Sequence, residues 1–215
     1  MTSAVDTSEM VVVHDAFRRE FEEAPALIRS VGAGDRSHAE AVGAHLQLLL
    51  ELLHQHHDGE DRLLWPKLRA RIGSEQQPAI DLMEEHHAAI HVEVTQATAV
   101  LGRWRTFAHQ RDREPLADCF ERFSGLLDEH LATEEQQVLP LAASCLTQAE
   151  WDQLGAEGMA GVPRDQLPVV AGMIMKDGDP AVVRTVIAHV RWPARVLLPR
   201  MAARSYARYA RRLRG

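Results

Sequence analysis

His56, Glu60, Asp61 and Pro66 in HHDGEDRLLWP are matched, 74 residues further on, by His130, Glu134, Glu135 and Pro140 in HLATEEQQVLP. Residues four apart on a helix lie one above the other on a single face. Each phrase therefore sets an imidazole beside a carboxylate, a pair that can grip one divalent metal or let the carboxylate bridge two. A single such pair is usually a solvated surface pair. Two matching copies, each followed by an apolar run and a proline, point instead to two halves of one centre. The chain must then fold so that two helices face a common interior at the same height.

The rest of the sequence agrees with a helical reading. Only 5% of residues are aromatic, while Leu, Ala, Glu and Arg abound, and these residues lose little freedom in a helix. The hydrophobic spacing predicts a first helix over about Ser8–Val31 with Pro25 inside it, broken by GAGD at 32–35. Ser37 with Glu40 reads as a capping box opening a second helix to about Ile72. Gly73 ends it, and Ser74 with Gln77 opens a third, to about Phe107. A fourth is expected from about Pro115 to Leu146. Long helices joined by short links predict an all-α fold: an antiparallel up-down-up-down four-helix bundle over residues 1–146. Residues 147–215 read as a C-terminal helical extension of two or three helices with an Arg-rich tail. Thr147 with Glu150 is a further capping box, and Asp179–Pro180 an N-cap followed by Pro at the first helical position. His189 and Pro199 repeat the ten-residue spacing of the two phrases, but Pro193 stands at the Glu position, so a third copy would lack the chemistry.

The other long helices supply further imidazoles. His14 stands amid apolar residues in VVVHDAFRREF, and EEHHAAIHVEV carries His86, His87 and His91. His87 aligns best with His14, since each is followed by Ala at the second position and a large apolar residue at the third. His14, His56, His87, His91 and His130 give five imidazoles. With Glu60 and Glu134 both bridging, and one bridging oxide or hydroxide, two six-coordinate metals would still lack one donor. That missing donor is an open position, the mark of a reactive metal centre. Imidazole and carboxylate donors without thiolate suit iron or manganese, with zinc able to compete. His57 with Asp61 is a second four-apart pair inside HHDGED, and His86 is an alternative to His87. His57, His86 and Asp61 are candidates to orient ligand rings through their outer nitrogens. His45, His54 and Trp65 read as ordinary surface or packing residues.

The His in the first helix, the two H-x-x-x-E phrases with their trailing acid and Pro, and the H-x-x-x-H of the third helix resemble the hemerythrin or HHE cation-binding family. The resemblance covers about residues 10–146. It implies two Fe ions with a bridging oxide or hydroxide, held by His14, His56, Glu60, His87, His91, His130 and Glu134. The H-x-x-x-H pair is similar to the oxygen-carrying members, whereas the fourth-helix phrase departs from their longer His-to-Asp spacing. The C-terminal third resembles a tail on actinobacterial-type hemerythrin-like proteins and implies no activity of its own. The resemblance points to O2, NO or peroxide as small-molecule ligand. It leaves two functional classes open: a gas-binding or stress-response protein, and an iron- or oxygen-responsive regulatory module.

Charge and cysteine usage narrow the setting. No acid follows Asp179, yet nine Arg lie between Arg184 and Arg214, which leaves 15 basic against 31 acidic residues in the remainder. The basic tail is expected to pack on the acidic body, in preference to nucleic acid or a membrane surface; its last helix could also join an interface in a homodimer. No apolar run is long enough to span a membrane. The opening MTSAVDTSEM carries acids where a secretory signal would be basic, and Cys119 and Cys145 make no disulfide framework, so a cytoplasmic location is expected. No nucleophile elbow, P-loop or dinucleotide fingerprint is present.

Overall fold

The computed structural model describes residues 4–190, 192 and 194–215. Pro193 of the possible third copy, Arg191 of the tail arginines and the first three residues of the chain lie outside the described residues. Those described residues form helices and connecting turns. In chain order these are α1 (Ser8–Ser30), α2 (Arg36–Gly59), a π-helical turn (Glu60–Leu64), α3 (Trp65–Arg69), α4 (Gln77–Phe107) and α5 (Gln110–Thr133). A second π-helical turn (Glu134–Val138), α6 (Leu139–Cys145), α7 (Gln148–Gly161), α8 (Leu167–Asp177), α9 (Pro180–Ala188) and α10 (Ala194–Leu213) follow.

Helix α1 packs on α5, α2 on α4, α4 on α5 and α1 on α2. Ion pairs lace the seams: Arg18 meets Asp128 while Arg29 meets Glu114, Asp118 and Glu121, and Arg105 meets Glu40. The interior divides into two apolar clusters. One gathers Phe21, Leu46, Leu53, Trp104, Phe120 and Leu131; the other gathers Met10, Leu64, Trp65, Leu68, Ile80 and Val138. Between them lies a layer of buried polar side chains.

Several helix ends differ from the sequence expectation. Asp35, not Ser37, caps α2 by accepting the His38 N–H, and Glu40 is drawn off to Arg105. No side chain caps the start of α4; Gln76 instead folds back to accept the Gly73 N–H. Helix α5 begins at Gln110, so Pro115 lies inside it, because Ala108 in the left-handed conformation (φ 48°) closes α4 and frees the chain to turn early. The Thr147–Glu150 capping box and the Asp179 cap are both present. The C-terminal region holds α7, α8, α9 and α10, more helices than its punctuation suggested.

The tail docks through packing more than through charge. Helix α10 lies along α8, where a Cβ on Gly172 would sit 2.6 Å from the Ala202 carbonyl oxygen, so only glycine permits this approach. Leu198, Ala202, Tyr206 and Leu213 form its buried stripe. Tyr206 donates its hydroxyl to the buried carboxylate of Glu20, which also accepts from Arg19. Arg214, 3.7 Å from Glu23, brings the one tail-arginine ion pair found among the described residues. His189 pairs with Glu9 at 2.8 Å, fixing the end of α9 to the start of α1. Tyr206→Phe removes a hydrogen bond to a buried charged group, worth about 1.5–3 kcal/mol. Limited proteolysis should then cut α10 before the bundle melts; cleavage indistinguishable from wild type would show the contact to be idle.

Candidate metal centre

Each phrase of the repeat bends where its proline arrives. Pro lacks an N–H and its ring clashes with the carbonyl four residues back. The chain answers by widening one turn: the N–H of Trp65 reaches back five residues to Glu60 O, and that of Leu139 to Glu134 O. Such π turns are frequent at functional sites. Here they allow Glu60 and Leu64, and likewise Glu134 and Val138, to face inward from one continuous rod.

Donor atoms converge in two groups. His57, Glu60, His87 and His130 form one; His14, His56, Glu60 and Glu134 form the other, and in each the four donor atoms lie within 4.8 Å of one another. Glu60 belongs to both. His14, Glu60, His130 and Glu134 are fully buried, and His57 and His87 nearly so. The ring nitrogens Nε2 of His14 and His56 face each other at 3.2 Å, an arrangement suited to a shared cation. His57 Nε2, His87 Nε2, both nitrogens of His130 and all four oxygens of Glu60 and Glu134 are buried without a hydrogen-bond partner. Buried polar atoms are otherwise paired in folded proteins. So many unspent lone pairs aimed at one point fit a metal site.

The acid that trails each bridging-type Glu serves the neighbouring helix. Asp61 accepts from His87 Nδ1 at 2.8 Å and from Trp65 Nε1 at 2.9 Å. Glu135 accepts from His14 Nδ1 at 2.9 Å and from Arg18 at 2.8 Å. The outer nitrogen of each ring thereby holds the proton and the inner one is left to bind. The two halves of the chain therefore match crosswise: His14 with His87, His56 with His130, Glu60 with Glu134, Asp61 with Glu135. His57 breaks the match, because its counterpart Leu131 belongs to the apolar core.

Six of the seven expected residues come together here. His91 does not: it is exposed and stands beside His54, their rings 6.4 Å apart. Helix α4 turns Ile80, Met83, His87, Ile90 and Ala97 inward, and in that stripe the position after His87 is Ile90, so His91 falls outside. His57 supplies the fifth imidazole instead. Residue 86 stays at the margin, its ring 5.8 Å from that of His130. The reading of Trp65 as a packing residue holds, with the added bond to Asp61. Glu135 was not singled out, although its equivalence to Asp61 marks it. His45 is buried beside Glu20, 3.6 Å away, in keeping with the packing reading.

Electrostatics follow from burial. Burial and the neighbouring Glu60 raise Glu134 to about 8. Burial likewise raises Glu60. It drives His56 and His57 well below the ordinary 6.5 and His130 to about 2, helped by adjacent imidazoles. His87 is the exception: burial opposes its charge, but the bond to Asp61 and the Glu60 carboxylate 3.4 Å away outweigh this and lift it to about 9.

The sequence model of the family described as Hemerythrin HHE cation binding domain matches residues 5–142. The chain belongs to the hemerythrin HHE cation-binding family. No curated protein and no solved structure matches it. In this hemerythrin-family chain the matched segment contains every donor described above and ends before α7.

Two predictions follow from the donor set. His57→Leu, which copies the residue of the other half, should lower metal content with the fold intact, whereas His91→Ala should leave metal content unchanged. Asp61→Asn should weaken binding by roughly 10–100-fold. Elemental analysis of the purified variants decides between His57 and His91. Ligands must also lose their protons to bind. Glu134 near 8 and His87 near 9 carry theirs at neutral pH in the metal-free protein. Metal uptake at pH 7 should therefore release protons, with apparent affinity rising toward pH 9; calorimetric heats identical in buffers of different ionisation enthalpy would contradict this.

Proposed function

We propose that this protein is a non-haem di-iron protein that binds O2, or handles NO or peroxide, in the cytoplasm as part of gas binding or a stress response. The observation that carries the reading is the pair of donor groups joined at Glu60, their lone pairs buried and unspent. The residues that would hold the metal are His14, His56, His57, Glu60, His87, His130 and Glu134, and Glu60, shared by both donor groups, could serve two ions. The scaffold is read as an antiparallel up-down-up-down four-helix bundle to about residue 146, followed by the helical extension. Its support is that contacts of α1 with α5 run Arg18–Asp128 and then Arg29–Glu114, numbers rising on one helix as they fall on the other.

A reduced iron pair at these donors supplies electrons and an open coordination position to a small ligand. The chain's own residues do the rest. Asp61 and Glu135 hold protons on the outer nitrogens of His87 and His14, so both rings present a fixed inner nitrogen. Phe17, its ring 5.4 Å from that of His56, and the two apolar clusters flank the centre with apolar side chains. No described helix is long and apolar enough to cross a membrane. Cys119 and Cys145 are free thiols, in keeping with a reducing compartment.

A second reading, an iron- or oxygen-responsive regulatory module, draws on one feature. Helix α1 carries His14 and also Glu9 and Glu20, the residues to which the extension is fastened. Loss of metal would loosen the helix on which the tail rests.

Metal analysis of anaerobically purified protein, with visible spectra before and after air or NO, tests the first reading. About two irons per chain, following the two donor groups, with new absorption on exposure that vanishes in His56→Ala and His130→Ala, is the expected result. Absence of iron with unchanged folding in those variants would overturn it. Tail proteolysis that switches with iron removal would favour the regulator.

A further inference from the structure

A cleft of about 130 Å³ lies between α1 and α2 on one side and α7, α8 and α9 on the other. Phe17 and Leu52 line it from the first pair; Leu154, Met159, Val170 and Ile174 line it from the C-terminal helices. His56 also lines it, and at 12% its side chain is the most exposed among the seven donors. The charged groups at the margins are already engaged, Glu9 with His189 and Glu20 with Arg19 and Tyr206. Gln55 Oε1, buried without a partner, is an acceptor in an otherwise largely apolar lining, and apolar cavities of roughly 150 Å³ accept xenon or benzene.

The glycines of α7 bear on the same space. Gly155, Gly158 and Gly161 recur at every third position, although Gly inside a helix costs about 1 kcal/mol relative to Ala. A Cβ on Gly155 would sit 2.7 Å from His189 Nε2, and one on Gly161 2.5 Å from Gln55 Oε1. Gly158 has nothing within 4 Å and lines the cleft. No neighbour demands its missing side chain; what the glycine leaves is room.

A second opening reaches the other donor group. It runs along the α2–α4 seam, about 500 Å³ in volume, past Asp58, Asp61 and Glu84 to His57 and His87. Its acidic mouth suits water and cations, whereas the apolar cleft suits neutral molecules. The group at His14 and His56 has one imidazole fewer than the group at His57, His87 and His130. The apolar cleft reaches that group through His56, the one of its four donors that lines the space.

We propose that the cleft roofed by α7–α9 is a binding site for a small uncharged apolar molecule, from a diatomic gas to a single hydrocarbon ring, held against His56. Its link to chemistry rests on the reading of His56 as a metal ligand; occupancy of the cleft does not.

The test uses full-length, metal-loaded protein with xenon and benzene as probes. Crystals pressurised with xenon should show the atom between Phe17 and Leu154, and benzene should bind in calorimetry with a negative heat-capacity change. Gly158→Leu should fill the space, abolish the xenon peak and weaken benzene by roughly tenfold or more, with metal content and helicity unchanged. Met159→Trp, filling the same space, serves if that variant fails to fold. Wild-type protein that takes up neither probe, or variants that bind both as well as wild type, would overturn the proposal. Xenon in the cleft of a protein that proves to hold no metal would support the site and overturn only its link to His56.

Discussion

Two carboxylates, Glu60 and Glu134, buried together with no hydrogen-bond donor, set the terms on which this protein is stable. A buried charge without a partner costs several kcal/mol, and here both groups respond by holding their protons more tightly. His56, His57 and His130 are pushed the opposite way, toward neutrality, whereas Asp61 supports the charge of His87. Neutral imidazoles next to carboxylates reluctant to ionise form a layer that apolar side chains would fill more stably. A dication reverses both penalties at once, so binding free energy becomes folding free energy. The layer lies between the two apolar clusters, so its state bears on the packing of both.

Local chain geometry makes the layer possible. Successive side chains on a helix point about 100° apart, so Glu60 can face the centre while Asp61 faces a neighbouring helix. The π turn inserts one residue of slack immediately after the carboxylate, and proline in the next turn makes the wider turn favourable. Asp61 can then meet His87 on α4 while Trp65 and Leu68 return to the core. The same device places Glu135 on His14 and returns Val138 and Leu139 inward. A phrase of eleven residues thus encodes a ligand, a carboxylate shared with the centre, an anchor for the next helix's ligand and the bend that separates them.

Much of this was legible in the chain because the repeat names its own parts. His56, Glu60, His130 and Glu134 were readable from the proline register, and His14 and His87 from their matched apolar settings. A four-residue interval does not by itself bury both partners, and His91 is exposed although His87 is buried. A helix that buries Ile80, Met83, His87, Ile90 and Ala97 follows alternating steps of three and four, and His91 is out of phase with it. The same stripe on α2, Leu46, Leu50, Leu53, His57 and Glu60, marks His57 as inward. The start of α5 was hidden because Ala108 takes the left-handed conformation that glycine usually signals. Contacts between distant segments, such as Tyr206 with Glu20 and His189 with Glu9, have no local pattern and could only emerge from the folded chain.

The mismatch between His57 and Leu131 has a consequence for how the two halves are used. Matched halves would surround two equivalent metal positions with equal access. Exchanging a core leucine for an imidazole in one half gives that side three ring donors and a polar, acidic approach. The other side keeps two ring donors and receives, from helices beyond the family-matched segment, an apolar approach. The number of ring donors and the polarity of the approach therefore change together, while each group keeps four donor residues and both share Glu60. The C-terminal helices then contribute through the space that they enclose, which explains why their contacts with α1 are polar and specific at the edges but leave glycine and open volume at the middle.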